Sequence, residues 1–236
     1  MISIVIPIYN GIEFIEDSVS SVIQQTFTEW ELLIGINGYE QNSIVYQIAQ
    51  KYETISSKIK VFDFYEMKGK SQTINKLIQY CKYDYVALLD VDDIWNPSKL
   101  EIQIQPILLS NYDVIGTNCM LFGDKPGMLP KIPMGDISDV DFTILNPIIN
   151  SSVIIKKELC YCDETIPALI DYEMWLRIRH MNKTFYNCPE VVVFHRIHKQ
   201  SAFNSKGNQK YRSMLLRKYK KIQQDKIQQD KNKKIQ

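Results

Sequence analysis

The stretch Tyr85 to Pro97, YVALLDVDDIWNP, decides the fold. It is apolar from Tyr85 to Leu89 and then changes at once to three carboxylates, Asp90, Asp92 and Asp93. A short apolar run bounded by turn-forming residues predicts a fully buried strand, and in an open α/β sheet ligands bind beyond the carboxyl ends of the strands. Carboxylates crowded at one strand tip repel one another unless a hard cation or a hydrogen-bonded network neutralises them, and oxygen ligands of this kind suit Mg²⁺ or Mn²⁺. The same residues also fit a helix start, in which Asp92 or Asp93 caps a helix beginning near Pro97.

Upstream, the pattern alternates. Ile2 to Ile6, Trp30 to Ile36 and Ile59 to Tyr65 are apolar, β-branched runs that read as strands, each ended by Pro, Asn-Gly or polar residues. Between them, Ile12 to Ile23, Ser43 to Tyr52 and Ser71 to Cys81 carry apolar residues at helical spacing. Strand, helix, strand, helix with short connections implies a mostly parallel sheet with right-handed crossovers. No GxGxxG follows the first strand, and Gly69-Lys70-Ser71 lacks the earlier glycine of a P-loop because Phe64 holds that place.

Downstream, Leu100 to Leu109 reads as a helix and Tyr112 to Phe122 as a strand. Gly123 to Asp141 is a long Gly-, Pro- and Asp-containing loop, of a length that favours a functional role. Asn150 to Lys156 and Val191 to Phe194 read as short strands. Ala168 to Met181 is a helix with Asp171 and Glu173 in its first turn, where acids also simply complement the helix dipole. From about Ser205 the composition shifts to Lys, Gln and Asp, and in KIQQDKIQQDK the residues Ile222 and Ile227 recur at a spacing of five, which makes neither a helix face nor a heptad seam. A solvated, frayed helix or disorder is expected there.

With 236 residues, the chain has room for one large α/β domain or two small ones. Lys+Arg 28 against Asp+Glu 27 leaves a net charge of +1, so no bulk attraction to nucleic acid is expected and any basic patch must be local. Five cysteines without CxxC or zinc spacing favour reduced, buried thiols and a reducing compartment. Met1 leads straight into ISIVIPIYN without a basic region or cleavage site, and no apolar run approaches the ~20 residues of a membrane span. The expectation is a cytoplasmic protein, with attachment at the membrane periphery left open.

SIVIPIYNG, the Trp30 to Gly38 strand and turn, LLDVDDIWNPSKLEIQ, DYEMWLRI and FHRIHKQS resemble, in order, the successive motifs of the family 2 glycosyltransferases, which are inverting enzymes of the GT-A fold. The resemblance covers about Ile2 to Phe203. It implies a nucleotide-diphosphate sugar donor, a divalent metal (Mn²⁺ or Mg²⁺), a carboxylate base and a hydroxyl acceptor on a glycan or another molecule. The implied fold is α/β of the GT-A type, a single nucleotide-binding domain with a mostly parallel central sheet flanked by helices. Residues 1–204 form that domain, with 1–98 the donor half and 99–204 the acceptor half, and 205–236 form a charged helical or disordered tail.

Carried over residue by residue, the resemblance puts Asp90 near the ribose and the metal, Asp92 on the metal, and Asp171 as the base that takes the acceptor's proton, with Glu173 the second choice. Asp93 is left to cap the next helix or hold the site. His198 is implied to reach the metal or diphosphate, with Arg196 adding positive charge there, whereas His195 is read as core or surface. Pro7 and Tyr9 match the loop that contacts the nucleotide base.

The sequence also departs from the family pattern. The usual Asp-Asp-Gly-Ser turn is Ile36-Asn37-Gly38-Tyr39, so Asn37 is the base reader implied, and uridine over guanine or thymine is favoured only weakly. The frequent Arg-Asn of the third helix is Ile74-Asn75, which keeps Asn75 as a donor contact and loses the Arg; Lys68 and Lys70 compensate only if they are not merely solvated. Ile170 replaces the Glu before the base. These substitutions motivate an alternative, a catalytically inactive nucleotide-sugar-binding protein of the same fold. A sugar nucleotidyltransferase is disfavoured because no Gly-rich basic loop follows the first strand.

Overall fold

The computed structural model describes the backbone of residues 1–201 and 208–233 and the side chains of 1–201 and 208–222. Strands β1 (Ile2–Ile8), β2 (Trp30–Asn37), β3 (Ile59–Phe64) and β4 (Tyr85–Leu88) form the parallel half of one sheet, in the order β3-β2-β1-β4. β1 and β2 are buried over almost their whole length, as apolar runs covered by helices on both faces must be. Helices α1 (Ile15–Ile23), α2 (Ile44–Gln50) and α3 (Lys70–Tyr80) supply the crossovers.

The other half of the sheet is mixed. β5 (Ile94–Trp95) and helix α4 (Lys99–Ser110) follow the acidic turn, then β6 (Val114–Gly123), the two-residue β7 (Gly135–Asp136), β8 (Ile154–Lys156), helix α5 (Ile170–His180) and β9 (Phe185–Ile197). The sheet order continues β4-β8-β6-β9-β5, with β7 also on β9. β8 is antiparallel to both neighbours, while β6 and β9 run parallel. The expected Val191 to Phe194 strand is only the end of β9: its register on β6 jumps from Cys188 to Val191, bulging out the exposed Pro189, which has no N–H to give the ladder. Asn150 to Ser152, read as strand, is a 3₁₀ turn before β8.

One polar network inside the apolar layer fixes that turn. Lys99, 0% exposed, lies 3.9 Å from the Trp95 ring centroid and donates to Gln103 Oε1 at 2.6 Å. Gln103 Nε2 in turn donates to the carbonyls of Ile115 and Ser152, and Trp95 Nε1 to that of Ser151. Burial pushes the Lys99 pKa well below its ordinary 10.5, because apolar surroundings disfavour the ammonium form. Stability then rises with pH between the depressed folded pKa and 10.5, by about 1 kcal/mol per pH unit, and is lost on acidification. Lys99→Met is expected to flatten the rise of the urea-unfolding free energy as the pH approaches 10; identical slopes in both proteins contradict a depressed Lys99 pKa.

Helix α6 (Asn208–Lys233) is the helical form of the expected charged tail, though one side of it is covered rather than solvated. Its order comes from a spacing of four residues that the Ile222/Ile227 pattern obscured: Leu215 and Tyr219 are buried in the core cluster that contains α5. Of the segment 205–236, residues 205–207 and 234–236 lie outside the described residues.

Candidate active site

The acidic turn is organised from both sides of the sheet. β5 pairs antiparallel with β9, Ile94 opposite Phe194 and Trp95 opposite Val193, which draws the end of β9 over Asp92 and Asp93. Asp93, fully buried, accepts from the Arg196 backbone N–H at 2.8 Å and lies 2.9 Å from His195 Nδ1. Burial alone would lower the His195 pKa, yet the Asp93 carboxylate raises it to about 9, so this is an ion pair that ties β9 to the turn. His195, read as core or surface, is therefore the clamp for Asp93.

Asp92 Oδ2 lies 3.0 Å from His198 Nε2, and the His198 ring packs on Phe14 with centroids 5.3 Å apart. Burial, followed by the neighbouring Asp93 and Asp90 charges, pushes the Asp92 carboxyl above the usual carboxylate range. A cation placed there relieves that repulsion. Asp90 differs: Asn150 Nδ2 donates to both its carboxylate oxygens at 3.1 Å, Lys70 Nζ forms an ion pair with Oδ1, and its own N–H donates to Ser151 Oγ at 3.0 Å. Burial acts to raise the Asp90 pKa, and Lys70 and Asn150 hold it below the ordinary value instead.

Among the described residues no three His, Cys, Asp or Glu side chains gather as a metal cage. Asp92 and His198 do adjoin, and Mg²⁺ or Mn²⁺ is commonly bound by one or two protein ligands, with waters and substrate phosphates completing the shell. The donor set fits a cation completed by a diphosphate. Asp90, with both oxygens engaged, must exchange Lys70 or Asn150 before it can join.

Asp92, His198, Asp90 and Lys70 line a cleft of about 180 Å³ together with Pro7, Tyr9, Gly11, Val91 and Ser201. Tyr9, at the mouth, is 56% exposed. Its ring lies against Gly38, where φ is +80° and a Cβ would stand 2.3 Å from the ring, so only glycine fits beneath it. Lys70, expected from the sequence to matter only if it is not merely solvated, stands in the first turn of α3 under the influence of three acids. Burial lowers its pKa, but Asp90, then Asp171 and Asp92, raise it above normal. Lys70→Met is expected to raise the donor KM roughly 10- to 100-fold, the worth of one charge-assisted hydrogen bond, in a donor titration of the transfer rate; an unchanged KM contradicts a role for its charge.

Three expected donor contacts are placed otherwise. Asn37 borders the cleft but is 0% exposed: in the amide orientation its neighbours require, Nδ2 donates to Ile8 O and Thr73 Oγ1 and Oδ1 accepts from Gly69 N–H. Its amide joins β1, β2 and α3 and is not presented to a base. Asn75 is turned away, bonded to the Cys162 backbone in both directions and to Glu164. The Arg196 guanidinium lies between Phe14 and Phe122, 4.5 and 4.4 Å from their centroids, and donates to Asp92 O and Asp17. It braces the turn from behind, because two rings and two acceptors hold it more firmly than an open cleft would.

Asp171 opens α5 within electrostatic reach of Lys70 and Asp90; burial raises its pKa, Lys70 pulling in the opposite direction. Glu173, the second choice for the base, is 1% exposed and accepts from Tyr219 Oη on α6, with Arg177 and Lys218 at 3.8 and 3.5 Å. It serves the α5–α6 contact. Asn146 to Ser152 is expected from the sequence to shape acceptor specificity; here Asn150 and Ser151 bond instead to Asp90, a partner 60 or 61 residues away.

A mostly parallel α/β sheet, beside whose strand tips paired acids, a lysine and a histidine gather, is the arrangement of the GT-A class of glycosyltransferases. The Glycosyl transferase family 2 model matches residues 3–179, and the chain belongs to that family of glycosyltransferases. Curated relatives include the O-antigen biosynthesis glycosyltransferase WbnJ of Escherichia coli, 25% identical over 87% of this chain and 83% of its own. The UDP-Glc:alpha-D-GlcNAc-diphosphoundecaprenol beta-1,3-glucosyltransferase WfgD of the same organism is 29% identical over 87% and 81%. In structure, the chain is similar to residues 1–349 of S. aureus TarS in complex with UDP-GlcNAc, with TM-score 0.72, 16% identity and 86% of this chain covered. It is also similar to the mannosyltransferase PcManGT of Pyrobaculum calidifontis with GDP-Man and Mn²⁺, with TM-score 0.66, 13% identity and 85% coverage. It spans about 60% of the length of these two solved chains.

Proposed function

We propose that this protein transfers a sugar, with inversion at the anomeric carbon, from a UDP-sugar to a hydroxyl of a glycan or other acceptor, GDP- and dTDP-sugars being the competing donors. The observation that carries the reading is the pairing of Asp92 with His198 at 3.0 Å in the same cleft as the Lys70–Asp90 pair. Asp92 and His198 would hold Mn²⁺ or Mg²⁺, which would supply Lewis-acid stabilisation of the charge that grows on the departing diphosphate.

The chain's own groups account for the other steps. Lys70 adds a fixed positive charge for the diphosphate, and Asn150 and Ser151 keep Asp90 oriented toward the donor. Tyr9 offers an exposed ring for the base to stack on. Asp171 accepts the acceptor's hydroxyl proton as its oxygen bonds to the anomeric carbon and the bond to the diphosphate oxygen breaks. Inversion follows from that single displacement. Five free, buried cysteines support action in a reducing cytoplasm, and no helix among the described residues is long and apolar enough to cross a membrane.

The inactive-binder reading draws on Ile36, Ile74 and Ile170; retention of Asp90, Asp92, Asp171 and His198 favours turnover. A thermal-shift panel of UDP-, GDP- and dTDP-sugars with and without Mn²⁺ tests the donor assignment, and stabilisation that needs both nucleotide and metal is the expected result. If no nucleotide diphosphate raises the midpoint in any metal, the assignment fails. Binding without transfer to any hydroxyl acceptor favours the inactive reading.

A further inference from the structure

The charge of this chain is segregated. Helix α6 carries nine Lys and Arg against two Asp, a net of +7 in a chain whose total is +1, which leaves −6 on the rest. At ~1.5 Å per residue its 26 residues make a rod about 39 Å long. Lys210, Met214, Arg217 and Lys221 follow the i, i+4, i+7, i+11 series and share one face, all exposed, while Leu215 and Tyr219 bury the other. Arg212 and Lys218 are occupied by the body, on Ile144 O and on Asp163 and Glu173. Lys210, Arg217 and Lys221 form no ion pair with an acid among the described residues.

We infer that the outer face of α6 docks on an anionic phospholipid surface. Three cations on one straight stripe complement a plane of negative headgroups, each basic residue adding to the attraction at a membrane surface. Met214, 45% exposed in the middle of the stripe, is an apolar side chain that such a boundary accepts. Nucleic acid is the weaker fit. The stripe holds no aromatic ring for base stacking, and a polyanion long enough to leave the helix would meet a body, residues 1–207, of net charge −7. A plane touched only along the helix edge avoids that repulsion. This inference concerns location alone and does not depend on which donor or acceptor the cleft takes.

Co-sedimentation of the full chain with vesicles tests it, comparing phosphatidylcholine alone with an equal mixture of phosphatidylcholine and phosphatidylglycerol. Binding to the anionic vesicles only, reduced by 0.5 M salt, is expected. The combined substitution Lys210→Glu, Arg217→Glu and Lys221→Glu should weaken it by at least about tenfold with circular dichroism and melting midpoint unchanged, since all three side chains are exposed. Absence of binding, equal binding to the zwitterionic vesicles, undiminished binding by the triple variant, or preference for a duplex oligonucleotide over the vesicles would each overturn the assignment.

Discussion

Asp171→Asn is expected to reduce sugar transfer by roughly 10²–10⁴-fold, the usual contribution of a positioned general base, while donor binding stays as it was. The amide keeps the shape of the carboxylate and cannot accept the acceptor's proton. Donor binding is spared because the groups lining the cleft are Asp92, His198, Lys70 and Asp90, and Asp171 joins them only through the field of Lys70 and Asp90. A pH signature accompanies the loss. Burial holds the Asp171 pKa above 3.8, and only the ionised form acts as a base, so the wild-type rate should fall on acidification at a higher pH than an exposed carboxylate would dictate. The residual rate of the variant should lack that acid limb. Kinetics over pH 4 to 8 with a donor titration separate the possibilities: loss of donor binding together with turnover would make Asp171 structural.

For Asp92→Ala, the metal-dependent part of donor stabilisation should disappear. In the native site the Asp92 carboxyl is pushed upward by burial and by Asp93 and Asp90, with His198 in partial relief, an arrangement that a divalent cation improves. A ligand at 100 times its dissociation constant stabilises a protein by ~2.7 kcal/mol, and the share of this that depends on Mn²⁺ is what the variant forfeits. Scanning fluorimetry with UDP alone and UDP plus Mn²⁺ measures it directly. Free Mn²⁺ followed by electron paramagnetic resonance gives a second readout, independent of turnover. An undiminished metal-dependent shift would remove Asp92 from the ligand set.

Much of the donor half was legible because its information is local. Ile2–Ile8, Trp30–Asn37, Ile59–Phe64 and Tyr85–Leu88 are apolar runs punctuated by Pro, Gly, Asn and Asp, and each became a strand within a residue or two of its expected limits. Tyr9, Asp90, Asp92 and His198 could be singled out because the family motifs fall on them in order, and they do share one cleft. The acceptor half was read less well. The strand expected at Val191 to Phe194 is a part of β9, which begins at Phe185 and carries Pro189 in a bulge against β6. The tail was expected as helix or disorder, and what its composition hid is that Leu215 and Tyr219 are buried in the cluster that contains α5.

The sequence by itself determined which segments are strands and helices, where the acidic strand tip falls, and which family the motifs belong to, because periodicity and turn chemistry act over a few residues. Tertiary structure decided the occupation of each polar group. Asp92 met His198 across 106 positions, and Asp90 was clamped by Asn150 across 60. Asn37, Asn75 and Arg196 were drawn into the framework, and Glu173 was covered by α6. A buried donor or acceptor must find a partner, and which partner lies within 3 Å is set by the packing of distant segments, for which no local pattern exists.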